Sequence, residues 1–150
     1  MIGVSPTADQ TRVMKQSLKA LEISTSNFPP GRVLGTISQA KNELTGPEAY
    51  AAAAGDFYSR TVAEIYKKYQ ATLVKNHALD FDDLLLRAVE MVTGHPDVLA
   101  ELRARFSHVL VDEYQDTNRL QAAILTALKP DGRGLTVVGD QAYKIFSTDV

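Results

Sequence analysis

The sequence predicts a mostly α-helical chain followed by a partial α/β portion, with the change of style near residue 106. Three observations carry this. Apolar residues recur at three- and four-residue steps through the first hundred positions. Two short β-branched runs, His108-Val109-Leu110-Val111 and Leu135-Thr136-Val137-Val138, flank one amphipathic helix, the pattern of a βαβ unit with a parallel sheet. Each run ends in acid, Asp112-Glu113 and Asp140. With 45% hydrophobic and 23% charged residues over 150 positions, the chain can bury a core.

The elements follow in order. Thr7-Ala8-Asp9-Gln10 reads as a capping box, and the helix behind it puts Met14, Leu18 and Leu21 on one face. Pro29-Pro30 suits a helix start, where a missing N–H costs nothing. Val33, Leu34, Ile37, Ala40 and Leu44 then form a stripe that Gly46-Pro47 breaks. One longer helix is expected from near Glu48, its stripe being Tyr58, Val62, Ile65, Tyr66, Tyr69 and Leu73. Asp80 can cap the next helix, with Asp82 and Asp83 complementing its dipole and Leu84, Leu85, Ala88, Val89 and Val92 facing inward. After Gly94, His95-Pro96 starts another helix through Leu99, Leu102 and Phe106. The helix between the two strand runs carries Leu120, Ile124, Leu125 and Leu128, and Pro130-Asp131-Gly132-Arg133-Gly134 is a turn.

Composition excludes several kinds of function. Sixteen Lys+Arg against 18 Asp+Glu leave a net charge of −2, so nucleic-acid contact would have to come from a local patch. Zero Cys removes disulfides, thiolate zinc and cysteine nucleophiles. His77, His95 and His108 stand too far apart in sequence to suggest a metal site. No apolar run approaches the ~20 residues of a spanning helix, and no signal-peptide core is present, so a soluble, cytoplasmic protein without membrane contact is expected.

In open parallel sheets, ligands gather outside the carboxyl ends of the strands. Asp112, Glu113 and Asp140 fall there, where one acid suits Mg²⁺ and its waters and the next can deprotonate a water attacking a nucleotide phosphate. Acids at a strand end also cap the following helix, and by themselves these residues leave both readings open.

The longer string Val109-Leu110-Val111-Asp112-Glu113-Tyr114-Gln115-Asp116-Thr117-Asn118 closely resembles motif II, the Walker B element, of the UvrD/Rep/PcrA group of superfamily 1 DNA helicases. Asp9-Gln10, Pro29-Pro30, Ile37 with Ala40-Lys41-Asn42, and Asp80-Phe81-Asp82-Asp83-Leu84-Leu85 recur in that order in the group, and Val137-Val138-Gly139-Asp140 looks like the opening of motif III. The resemblance implies a helical 1B subdomain over 1–106 and an incomplete RecA-like P-loop NTPase sheet, part of motor domain 1A, over 107–150. It implies that Asp112 coordinates Mg²⁺ and Glu113 acts as catalytic base. Gln115 and Asp116 would couple the nucleotide site to neighbouring motifs, with Asp140 beside that site. ATP and Mg²⁺ are the implied cofactors. The implied reaction is ATP hydrolysis driving 3′-to-5′ movement on single-stranded DNA and unwinding at a duplex junction, in DNA repair and replication. Thr117, Asn118 and Gln121 read better as caps of the following helix.

Nucleic-acid contacts are assigned to Arg32 and Lys41, which can neutralise phosphates near the Pro-Pro start, and to Phe146, which matches the aromatic-bearing end of motif III. Lys67, Lys68 and Lys75, interleaved with Tyr66 and Tyr69, read as a solvated face over core tyrosines, and Arg103 and Arg105 as surface residues. Motif III also departs from the family pattern: Tyr143 stands at its Gln, Thr148 at an aromatic and Asp149 at an Arg, while Ile145 and Phe146 match. None of the nine glycines begins a Gly-Lys-(Ser/Thr) phosphate loop. The expectation is therefore an internal helicase fragment that does not hydrolyse ATP alone, with strands that lack sheet neighbours and expose apolar surface. The alternatives are a non-catalytic DNA-binding or protein-docking module with a remnant motor, and a helicase–nuclease of AddA/RecB type.

Overall fold

Helices fill the computed structural model, which describes residues 3–4 and 7–140, with side chains from Asp9 onward. The chain divides into two units, Met1–Leu86 and Arg87–Val150. The division falls inside a helix, Phe81–Gly94, whereas strand-forming sequence resumes at Val109.

The first unit holds β1 (Gly3–Val4), α1 (Thr7–Ala20), α2 (Pro30–Asn42), α3 (Pro47–Ala53), α4 (Phe57–Lys75), β2 (Ala78–Leu79) and the opening turns of α5 (Phe81–Gly94). Its core joins Val13, Met14 and Leu18 of α1, Val33, Ile37 and Ala40 of α2, and Val62, Ile65, Tyr66, Tyr69 and Leu73 of α4. Every one of these follows the 3.6-residue period, and each large side chain removed from water contributes roughly 1.5–3 kcal/mol before entropy is charged. Burial pushes the phenols of Tyr66 and Tyr69 well above the ordinary tyrosine range. Tyr66 still finds a partner, donating to the Thr45 carbonyl at 3.2 Å.

Two sequence expectations need correction here, and one element leaves no trace in the sequence. The single helix expected from Glu48 is two, α3 and α4. Asp56 accepts from the Ser59 N–H at 2.8 Å and the Ser59 hydroxyl accepts from the Asp56 N–H at 3.2 Å, a reciprocal cap that starts α4 afresh after Gly55. Hydrogen bonding from Ser59, its backbone N–H first, holds the Asp56 carboxyl below the usual carboxylate range. Leu44, expected in the α2 stripe, is 61% exposed because the chain has already turned left-handed there (φ 58) to close the helix end. The parallel pair β1–β2, joining Gly3 to Ala78 and Val4 to Leu79, has strands of two residues, too short to leave a period in the sequence. The side chain of Thr7, on which the expected capping box depends, is not among the described side chains, and 141–150 lie outside the described residues.

Lys41 also departs from expectation. Rather than facing a phosphate, it is 1% exposed, with its ammonium 2.7 Å from both Asp80 Oδ2 and Asp83 Oδ1. Tyr69 donates its hydroxyl to Asp80 Oδ2 at 3.1 Å, and Gln70 donates its amide to Asp83 at 3.1 Å and 3.2 Å. The Asp83 N–H bonds Asp80 Oδ1 at 2.8 Å, so Asp80 caps α5 as its position suggested. Burial excludes this lysine from DNA: its charge is already committed to two carboxylates, and extracting it would strand them in the core.

The second unit holds the rest of α5, α6 (Pro96–Arg105), β3 (Val109–Val111), a 3₁₀ turn (Tyr114–Asp116), α7 (Arg119–Leu128) and β4 (Leu135–Val137). β3 and β4 are parallel, pairing Val109 with Leu135, Leu110 with Thr136 and Val111 with Val137, with α7 as the crossover expected of a βαβ unit. Gly134 permits the approach: its φ is +73, its carbonyl accepts the Val109 N–H at 2.8 Å, and a Cβ there would collide with the Ser107 carbonyl. Among the described residues this sheet has two strands, and Leu110 (72%) and Val138 (53%) are exposed. No described helix is long and apolar enough to cross a membrane.

Candidate active site

The carboxyl end of β3 is built by backbone pairing that outlasts the strand. The Val138 N–H donates to the Val111 carbonyl at 2.8 Å, and the Tyr114 N–H donates to the Val138 carbonyl at 3.0 Å. The chain thus turns back over the end of β4 within three residues. Glu113 makes that turn in the left-handed region (φ 51, ψ 44), a conformation that costs a non-glycine residue roughly 1–3 kcal/mol. Local bonds hold it there. Asp112 Oδ1 accepts the Glu113 N–H at 2.9 Å, and the Glu113 carbonyl accepts the Asp116 N–H at 2.9 Å. The Gln115 side-chain amide donates to Glu113 Oε2.

Gln115 also reaches the second strand, where its Oε1 accepts the Asp140 N–H at 3.2 Å. Gly139 is required for this contact, since a Cβ there would lie 2.5 Å from Gln115 Oε1 and 2.9 Å from the Tyr114 nitrogen. On the other side, α7 begins with Asn118 accepting the Gln121 N–H at 2.9 Å while Gln121 accepts the Asn118 N–H at 3.1 Å. These two residues cap the helix, as the sequence suggested. Asn118→Ala is expected to cost about 1 kcal/mol of unfolding free energy in urea titration, the usual worth of such a cap; no measurable loss would show that the cap is not formed.

Between the strand end and α7 lies a cleft of about 440 Å³, with Asp112, Glu113, Asp116 and Thr117 on its polar side and Leu110, Ile124 and Leu125 among its apolar walls. Four of the five sequence-selected nucleotide-site residues therefore meet: three carboxylates line one cleft, and Gln115 braces one of them. Asp140 touches the group through its backbone N–H. Among the described residues no three His, Cys, Asp or Glu side chains converge to cage a metal unaided. The donor set is nonetheless hard oxygen held on a rigid strand end. That suits Mg²⁺, which takes one or two carboxylates and completes its shell with phosphate oxygens and water.

The other sequence-selected residues lie elsewhere. Arg32, exposed on the first turn of α2, holds its guanidinium 5.1 Å above the Tyr58 ring, itself stacked on Phe28 at 5.5 Å. Phe146 falls outside the described residues. His77, His95 and His108 are exposed, and Lys67 pairs with Glu48 at 3.2 Å. Sequence reasoning missed the strained backbone of Glu113 and the close packing of Gly139, for which spacing gives no signal. It also missed the lysine–aspartate cluster, whose one trace is the three-residue step from Asp80 to Asp83.

Comparison with known proteins identifies the family. A family model described as the UvrD/REP helicase N-terminal domain matches residues 2–147. The ATP-dependent DNA helicase PcrA of Bacillus subtilis (strain 168) is 43% identical over 144 residues, covering 96% of this chain and 20% of that protein. PcrA of Leuconostoc citreum is 40% identical over 140 residues (93% and 19%), and PcrA of Staphylococcus epidermidis 41% over 143 (95% and 20%). The chain spans 19–20% of the length of these curated relatives. A match across nearly the whole sequence, with its acidic strand end in the geometry just described, means that this chain belongs to the UvrD/REP helicase N-terminal domain family.

Proposed function

We propose that this chain is an internal segment of an ATP-dependent DNA helicase and supplies the acidic half of its ATP site. The observation that carries the reading is the Asp112–Glu113 pair at the carboxyl end of a parallel strand, opening into a cleft that could take a polyphosphate. Asp112 would hold Mg²⁺, which when bound neutralises phosphate charge. Glu113 takes a proton from the attacking water as the water oxygen bonds to the γ-phosphorus. The bond to the bridging oxygen breaks, and ADP leaves with its electron pair. Asp116 and Asp140 border the nucleotide. The phosphate-cradling loop must come from outside these residues, since no glycine here is followed by lysine.

Residues 1–106 would act as a 1B-like subdomain and 107–150 as part of motor domain 1A. Arg32, exposed with its guanidinium over the Tyr58 ring, would meet a DNA phosphate. Single-stranded DNA and its junction with duplex are the proposed substrates, translocation is 3′ to 5′, and the location is cytoplasmic, on the nucleoid in a bacterium. The test is ATP turnover by the intact protein. A rate raised by single-stranded DNA and lost on Mg²⁺ chelation is expected, with no turnover by the 150 residues alone. An intact protein that binds junction DNA without hydrolysing ATP would favour the second reading, a non-catalytic binding module. The residues Tyr143, Thr148 and Asp149 in motif III speak for that reading.

A further inference from the structure

We propose that Gln115 is a positioning residue, tying the Glu113 carboxylate to the Gly139–Asp140 backbone so that the end of β4 sets where the base stands. The inference rests on the reading of Glu113 as the base. Its ground is the geometry of one side-chain amide that bonds at both ends: Nε2 donates to Glu113 Oε2, and Oε1 accepts the Asp140 N–H at 3.2 Å. The polarity of each partner dictates which end of the amide faces it. A carboxylate accepts and a backbone N–H donates, so a primary amide of this length satisfies both at once. A glutamate would keep the Asp140 bond and set two carboxylates against each other, whereas a leucine would keep neither.

The second anchor has little slack. A Cβ at Gly139 would fall 2.5 Å from Gln115 Oε1 and 2.9 Å from the Tyr114 nitrogen, so the strand end packs directly against the amide. Glu113 in turn sits in a left-handed conformation that its own strand does not impose. A displacement of Gly139–Asp140 therefore drags the amide, and the amide drags the carboxylate. Gln115 is itself exposed, so replacing it does not remove core packing.

The experiment has two parts. In the intact helicase, amide exchange at Asp140 is compared among wild type, Gln115→Leu and Gln115→Glu. Faster exchange in the leucine variant alone is expected, and equal exchange in all three overturns the proposal. In the intact helicase, both variants are expected to lower kcat for ATP by roughly 10- to 100-fold, the scale of a misplaced catalytic group, with KM for ATP within about twofold. A loss confined to KM, or wild-type kcat in both, overturns it. Glu113→Gln separates the two levels of the argument. Inactive Glu113→Gln beside fully active Gln115 variants removes only the positioning role, whereas active Glu113→Gln removes the reading of the base itself.

Discussion

Lys41→Met is expected to lower the unfolding free energy by about 3–5 kcal/mol, the cost of breaking a buried ion pair from one side. Methionine replaces the aliphatic stem with little change of volume, so a cavity contributes little and the loss reports charge. What remains is two carboxylates, Asp80 and Asp83, 3% and 5% exposed, with the ammonium that pairs both of them gone. The Tyr69 hydroxyl and the Gln70 amide still donate to them. They supply hydrogen bonds and no counter-charge. Urea unfolding followed by circular dichroism measures the loss, and a drop under about 1 kcal/mol would mean that water reaches the cluster. Adding Asp80→Asn and Asp83→Asn to Lys41→Met is expected to recover more than half, because neutral amides need no partner ion. The cluster ties α2, α4 and the first turn of α5 together, so its failure loosens all of them.

Glu113→Gln is expected to reduce ATP turnover by the intact protein about 10²- to 10⁴-fold, the usual contribution of a general base. The substitution isolates the proton transfer. A glutamine keeps an oxygen for the Gln115 amide to bond, keeps the backbone bonds to Asp112 and Asp116, and cannot accept the water's proton. Affinity for nucleotide should therefore change little. A parallel fall in both affinity and rate would place Glu113 in binding instead.

The sequence carried the helices well because long amphipathic segments repeat their signal. Met14, Leu18, Val33, Ile37, Val62, Ile65 and Leu73 are all buried where the period put them. It failed where short-range chemistry overrides the period. Gly55-Asp56 restarts a helix that apolar spacing alone would run through, and Leu44 leaves its stripe because the helix end needs a left-handed residue. The burial of Lys41 leaves no sequence signal for a physical reason: lysine is so seldom fully buried that its type favours the surface, and its partners lie 39 and 42 residues away. At the cleft, the strand-ending acids and the Asn118–Gln121 cap were legible as residue types at fixed offsets. The backbone of Glu113 and the brace through Gln115 depend on β4 arriving alongside, and no local spacing encodes that arrival.

The proposed service of Asp112 and Glu113 in ATP hydrolysis is tested most directly by the identity of the nucleotide left on the protein after one turnover. Intact Glu113→Gln protein mixed with limiting radiolabelled Mg²⁺–ATP and single-stranded DNA, then quenched after the wild type has finished, is predicted to hold ATP almost entirely. Recovery of ADP and phosphate at the wild-type rate would contradict the account.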